Sequence, residues 1–260
     1  MFVVPPFFTA RARRGGFTLM ELLVVVAIIL VLAAISLPVI NSIQTRSHKA
    51  VAMNNIKQLT AAALAYAGEN NGELPNEDSK GIDTWQNAAN PQNAKTWYNI
   101  LPKMMGHRSV GEFEKTPREF YTPQNILFLP GATYPEGDKK LVMPQFAIAV
   151  NTKLSRNNEQ NVKEPARLVQ IVNPVRTVLF LEQGISGEPC KLSIQPKYDG
   201  SCKGSAKSFA GRYNEHGHLG FADGHVETAA AKDLLTESGK FPFPQTQIIW
   251  TRVPEDDPNK

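Results

Sequence analysis

The sequence predicts an α+β protein: a long N-terminal α-helix, membrane-spanning in its first half, packed through its second half against an antiparallel β-sheet in a globular domain. Three observations carry this. From Phe17 to Ile40 the residues are almost all apolar, about 20 positions, which at about 1.5 Å per residue is long enough to cross a bilayer as a helix. Residues 41–70 continue with apolar side chains at helical spacing. Beyond Gly72 the chain breaks into short apolar runs punctuated by Gly, Pro, Asn and Asp, the pattern of strands and turns.

Residues 1–16 form a basic leader. Arg11, Arg13 and Arg14 stand there with no acid, and outside them 25 basic residues face 24 acidic ones in a chain of net charge +4. The excess charge lies beside the apolar run, where basic residues keep a segment's flank cytoplasmic. The near-neutral remainder gives no support for nucleic-acid binding. Residues 17–40 are the spanning segment: Leu22 to Leu37 holds no charge and one polar residue, Ser36. A secretory signal would have a shorter apolar core and a small-residue cleavage site after it. Here more helix follows. Glu21 lies at the start of the run, where a carboxylate is costly; an acid kept there is functional by default and needs a partner, unless it snorkels to the headgroups. Gly15 and Gly16 precede the run, and glycine lets an extended backbone come close to a protease because no Cβ intervenes. Pro38 lacks an amide hydrogen and is expected to kink the helix.

The stretch "RRGGFTLMELLVVVAIILVLAAISLP" closely resembles the N-terminus of type IV pilins and type II secretion pseudopilins. The resemblance implies cleavage by a prepilin peptidase between Gly16 and Phe17, and N-methylation of Phe17. It implies that Glu21, four residues after the new N-terminus, pairs with the N-terminal amine of a neighbouring subunit during filament assembly. Pro38 falls where many pilins carry a helix-bending proline. The partners implied are other pilin or pseudopilin subunits, the peptidase and an inner-membrane assembly platform. The location implied is the inner membrane, crossed once, with the globular part in the periplasm. Both a secretion pseudopilus and a surface pilus fit. The role implied is that of a filament subunit, not an enzyme.

Residues 41–70 read as the amphipathic continuation of the helix. Ala52, Ile56, Leu59, Ala63 and Tyr66 form one stripe, while Asn54, Lys57, Gln58 and Thr60 fill the other faces. "ENNGELP" stops the helix. Residues 71–260 make the extracytoplasmic globular domain. It begins irregularly, with a short helix expected in "TWYNILPKMMG" and a strand-like run in "NILFLPGA". Strands are expected around Phe146, Ile148 and Val150, at Leu168–Val172, and at Thr177–Leu181, this last central in the sheet. Leu219–Ala222 and His225–Thr228 flank Asp223-Gly224, the pattern of a tight hairpin. A short helix is expected to start at Asp233–Leu235, and an edge strand at Gln245–Trp250.

"NNIKQLTAAALAYAGENNGELP", "FAIAVNTKL" and "FADGHVE" are also similar to stretches of planctomycete-type pilin-like proteins, which carry a His before a C-terminal Asp-Gly. His216 and His218 lie seven and five residues before Asp223, closer than in that pattern, so no histidine role is carried over. His216, His218, Asp223, His225 and Glu227 crowd into twelve residues, a composition that suits zinc. A second reading is therefore a membrane-anchored binding protein or metal-dependent hydrolase using this hairpin. No His-Glu-x-x-His, Ser-His-Asp or Gly-x-Ser-x-Gly pattern accompanies it. Calcium stays open through the oxygens of "KYDGS" and "ADGHVE", with no residue assigned to a metal and no cofactor expected. Cys190 and Cys202, in an exported domain, are expected to form a disulfide closing a short loop.

Overall fold

The computed structural model describes residues 17–77, 82–157, 163–189, 197–235, 240 and 247–253. The chain divides into two units, residues 1–44 and 45–260. Helix α1 spans Leu19–Glu69. In the first unit every described side chain is exposed. Pro38 lies within α1, but the side chains of residues 36–39 are outside the described set, and the predicted kink with them.

In the second unit α1 buries one stripe. Ala52, Ile56, Leu59 and Ala63 are fully buried, Ala67 extends the stripe, and Tyr66 is half-buried at its margin. Thr60 departs from expectation: it is fully buried, not on an outer face. Its hydroxyl satisfies itself by donating to the Ile56 carbonyl at 2.7 Å, which lets a polar residue sit among apolar ones. The helix ends as its sequence dictates. Asn71 adopts positive φ (52°), Gly72 follows at 80°, and the Gly72 N–H closes on the Ala67 carbonyl at 2.8 Å. This is the geometry of a Schellman cap.

Between α1 and the sheet lie two short helices, α2 (Trp85–Ala89) and α3 (Trp97–Met104), and several 3₁₀ turns. Their backbone lacks a ladder, so aromatic packing holds them. Trp85, Phe113 and Tyr121 meet Phe120 edge-on, and Phe120 in turn meets Phe146. Trp97 packs against Tyr98, Phe146 and Phe180, and its indole N–H reaches the Cys202 carbonyl at 2.9 Å. Asn99, buried, donates to the Ala88 carbonyl and accepts from the Gly111 N–H, both at 2.9 Å. The "NILFLPGA" run is turn, not strand.

The main sheet joins β1 (Ile148–Asn151), β4 (Val178–Glu182), β5 (Lys203–Gly204), β6 (His216–Phe221) and β7 (Val226–Ala230) in the order β5-β1-β4-β6-β7. The remaining strands, β2 (Arg156–Asn157) and β3 (Lys163–Glu164), pair separately. The sheet is mixed, where an antiparallel one was expected. β1–β4, β4–β6 and β6–β7 are antiparallel, but β5 joins β1 in parallel. No hairpin links β1 to β5; the chain visits β4 first, so the return direction is free. Leu168–Val172 is also corrected: Leu168–Gln170 is a 3₁₀ turn. The β6–β7 loop is longer than a two-residue turn, with the Phe221 N–H bonded to the His225 carbonyl. Asp223 is not at positive φ, which the tight Asp-Gly turn needs at both positions, and Gly224 alone of the pair takes it, at 103°. Of the last predicted strand, Gln245–Trp250, residues 245 and 246 lie outside the described set, and Ile249 makes one parallel bridge to Thr177.

The sheet is covered on both faces. Ile148, Val150 and Phe180 join the core that contains the α1 stripe, while Ala149, Leu181, Leu219 and Phe221 join Phe209, Leu234 and Trp250 on the other face. This double burial explains why "TVLFLE" reads as a continuous apolar run and not an alternating one.

Two outcomes follow from this packing. A Cβ on Gly220 would overlap Thr60 Oγ1 and stand 3.0 Å from Ile56 Cγ2. Gly220→Ala is therefore expected to cost about 1–3 kcal/mol by overpacking, read as a lowered denaturant midpoint. A midpoint equal to wild type would show that α1 does not sit against bare backbone there. Burial pushes the Tyr121 phenol up to about 12, against the opposing bond from the Gln145 N–H. Burial raises Tyr134 and Tyr213 as well. The folded state holds these protons more tightly than the unfolded chain, so the stabilisation is full below about pH 10 and is lost as pH climbs toward about 12, about 2–3 kcal/mol from Tyr121. An alkaline titration following tyrosinate absorbance together with ellipticity should show the late phenols ionising only as the fold melts.

Candidate functional site

Two clusters of polar groups stand out. The first is at the start of α1. Phe17 is 77% exposed and Thr18 precedes the first helical turn. The Thr18 N–H and hydroxyl both donate to Glu21 Oε2, at 2.9 and 2.8 Å, and the Glu21 N–H donates to Thr18 Oγ1 at 3.2 Å. This is a reciprocal capping box, Thr at the N-cap and Glu three residues on. It satisfies donors that a helix end leaves orphaned and places a carboxylate at the positive end of the helix dipole. Both partners are uncharged, so these bonds leave the negative charge of Glu21 uncompensated. Sequence reasoning singled out Glu21 but missed Thr18; the signal was the Thr-x-x-Glu spacing ahead of an apolar run.

Around this carboxylate the helix is apolar and bare. The most apolar 18-residue window of α1 has none of its residues buried. Leu22, Leu23, Ile28, Ile29, Leu30, Val31, Leu32 and Ile35 are each more than half exposed. A helix apolar on all sides is stable only when lipid or other chains cover it. Gly16 lies outside the described residues.

The second cluster is buried in the globular unit. β4 ends at Glu182 and β6 carries His218. His218 Nδ1 and Glu182 Oε1 are hydrogen-bonded, and the His218 backbone N–H donates to the same oxygen at 3.1 Å. Facing a carboxylate, Nδ1 carries the ring proton. Arg212 reaches Glu182 Oε2 at 3.2 Å and grips Glu188 with two bonds, Nε to Oε1 at 2.9 Å and Nη2 to Oε2 at 2.6 Å. Backbone N–H groups of Thr133 and Ile185 complete Glu188, each at 2.8 Å. All four side chains are 3% exposed or less. Next to Arg212, the Tyr213 hydroxyl donates to the His48 carbonyl at 3.3 Å. The cluster thus ties the β4 end, the segment around Glu188, the loop before β6 and α1 together. That loop holds two positive-φ residues, Asn214 (53°) and Glu215 (65°). Nothing in the sequence spacing brings these charges together.

The histidines of the β6–β7 hairpin do not converge. His218 is buried; His216 is exposed with Nδ1 2.7 Å from the Asn214 carbonyl. His225 stacks on Phe221 and lies between Asp223 (2.6 Å) and Glu227 (3.3 Å). Among the described residues no three His, Cys, Asp or Glu side chains are arranged to hold a metal ion. Cys202 is buried with Sγ 3.9 Å from the Glu77 carbonyl; Cys190 lies outside the described residues, and the predicted disulfide with it.

Comparisons with known proteins bear on the first cluster. The prokaryotic N-terminal methylation motif matches residues 11–37. Over 57 residues the chain is 46% identical to the type IV major pilin protein PilA of Myxococcus xanthus, a match covering 22% of this chain and 26% of that one. The chain therefore spans about a quarter of the length of this curated relative. No solved structure matches the chain.

For the buried cluster, Arg212→Ala would leave two carboxylates in the interior without their cation. The expected cost is about 3–5 kcal/mol in a denaturant titration. A loss below about 1 kcal/mol, the range of an exposed pair, would mean that water reaches the cluster.

Proposed function

We propose that the chain, which matches the prokaryotic N-terminal methylation motif over residues 11–37, is a prepilin-like filament subunit of the type IV pilin and pseudopilin kind. The observation that carries this reading is an apolar helix, bare on every side, with a single carboxylate at its start. Leader residues 1–16 are removed by a prepilin peptidase, which hydrolyses the Gly16–Phe17 bond and transfers a methyl group from a sulfonium methyl donor to the amine freed on Phe17, the donor leaving as its thioether and the amine losing a proton. Before assembly the apolar segment is covered by lipid, crossing the inner membrane once with the globular unit on the periplasmic side. In the filament, a type II secretion pseudopilus or a type IV pilus-like fibre, neighbouring subunits cover it instead. The assembly platform in the membrane feeds subunits into the growing end.

Glu21 then has two successive roles. In the free subunit it caps its own helix through Thr18. On entry into the filament its charge is matched by the amine of a neighbour's Phe17, which removes the cost of a carboxylate in an apolar interior. Glutamine also serves in a capping box but carries no charge, so one substitution separates the two roles. The test is co-expression with a prepilin peptidase and assembly platform, followed by mass analysis of the N-terminal peptide and recovery of filaments. The expected result is a chain starting at methylated Phe17, with filaments lost in Glu21→Gln while membrane insertion is unchanged. A chain that keeps residues 1–16 despite an active peptidase overturns the filament reading. Normal filaments from Glu21→Gln would leave Glu21 as a helix cap only.

A further inference from the structure

The cations of α1 differ from those of the globular surface. Several exposed basic side chains there have an acid beside them: Lys103 pairs with Glu112, Arg108 with Glu119, Arg118 with Asp138 and Arg167 with Glu73. On α1, residues 22–68 hold Arg46, Lys49 and Lys57 and no acid at all. Among the described residues none of these three takes part in an ion pair. Arg46 and Lys57 are exposed and Lys49 is half-buried. Their spacing puts all three on one flank of the helix, beside the buried stripe. That flank is fixed, because Ala52 and Ile56 are fully buried and the Tyr213 hydroxyl holds the His48 carbonyl at 3.3 Å.

Cations without acids have a physical meaning beside a membrane. A surface of phosphate headgroups attracts Lys and Arg and repels Asp and Glu. Arg46 and Lys49 come six and nine residues after Ile40, the last residue of the apolar run, about 9 and 14 Å along a helix. The polar layer adds about 5–8 Å to each side of the hydrocarbon, and Arg and Lys reach back along their apolar stems. Lys57 follows Ile40 by 17 residues, about 25 Å, and falls short of that layer. Membrane orientation does not account for the pair, since basic residues on the translocated side oppose the signal of the leader.

We propose that Arg46 and Lys49 bind the phosphate of an anionic phospholipid headgroup while the subunit waits in the membrane; the inference rests on the membrane-spanning reading above. Three residues apart on a helix, the two stand about 5–6 Å from each other at Cβ, so one phosphate meets both. The Arg46 guanidinium offers paired N–H donors, and the Lys49 ammonium adds a point charge. The contact fixes the depth of the subunit, because sliding α1 in either direction takes both cations out of the phosphate layer. Entry into a filament leaves the lipid behind, so the contact belongs to the waiting subunit alone.

The test places a photo-crosslinking amino acid at Ala50, exposed beside Lys49, in the full-length chain. The chain is reconstituted in vesicles of equal parts phosphatidylglycerol and phosphatidylcholine, and the adducts are identified by mass. The quantity read is the ratio of phosphatidylglycerol to phosphatidylcholine adducts. It is expected to fall about fivefold in Arg46→Gln and in Lys49→Gln, and further in the double variant. Arg46→Lys is expected to keep most of the ratio, and Lys57→Gln all of it. Inorganic phosphate in the buffer is expected to lower it no more than chloride at equal ionic strength. An unchanged ratio in the double variant overturns the proposal, as does an equal fall in Lys57→Gln. A loss specific to inorganic phosphate assigns the pair to the free ion, and a main adduct of twice the subunit mass assigns it to a second copy; either overturns the lipid contact. Alkaline extraction of the vesicles separates the two readings. A wild-type chain that is washed out overturns the spanning reading and the lipid contact with it. A chain that stays in while the ratio ignores both cations overturns the lipid contact alone.

Discussion

One helix has to satisfy two kinds of surroundings, and the rest of the molecule follows from how its side chains divide. Among the described residues of its first unit α1 offers apolar side chains in every direction and all of them are exposed, an arrangement that calls for lipid or other chains to cover it. In the second unit the same helix offers one apolar stripe, which the chain covers itself. The contact that makes the second arrangement work is the approach of Ile56 and Thr60 to the bare backbone of Gly220 in β6. A side chain at that strand position would push the helix off the sheet. With the helix seated, Phe180, Ile148 and the aromatic cluster around Trp97 fill the space beside it.

The two charged clusters show how burial changes the meaning of a carboxylate. Glu21 lies on an exposed helix end and bonds to the uncharged Thr18 in the interactions described above, which suits the proposed matching of its charge by another subunit. Glu182 and Glu188 sit in the interior and are satisfied within the chain by Arg212, His218 and backbone amides. A buried ionic cluster of this kind is costly to assemble and adds little net stability over an apolar core. What it supplies here is register: it joins β4, β6, the Glu188 segment and the strained Asn214–Glu215 loop at fixed distances.

Side chains that looked chemically promising in one dimension separate in three. His216, His218 and His225 are close in sequence. The strand start leaves His216 at the surface, the sheet buries His218 against Glu182, and the loop stacks His225 on Phe221. Conversely, Arg212, Glu188 and Thr133 are scattered in sequence and meet in space.

The sequence by itself determined what depends on near neighbours. The apolar run with its single acid, the 3–4 spacing of Ala52, Ile56, Leu59 and Ala63, the Asn-Gly stop after Glu69 and the continuous run of β4 all follow from helix or strand periodicity and from local backbone preference. Each could be read residue by residue. Only the tertiary structure decided the parallel entry of β5, the burial of Thr60, the 3₁₀ turn in place of a strand at Leu168–Gln170 and the meeting of Arg212 with Glu182 and Glu188. Those outcomes depend on which distant surfaces are left to cover. A strand with no hairpin constraint takes the open edge. A hydroxyl that can bond its own helix tolerates burial. An apolar segment already tied at both ends to Gly72 and Arg252 has no free ladder to join. Local spacing carries no information about contacts made across a hundred residues of chain, and it is those contacts that fix the globular unit.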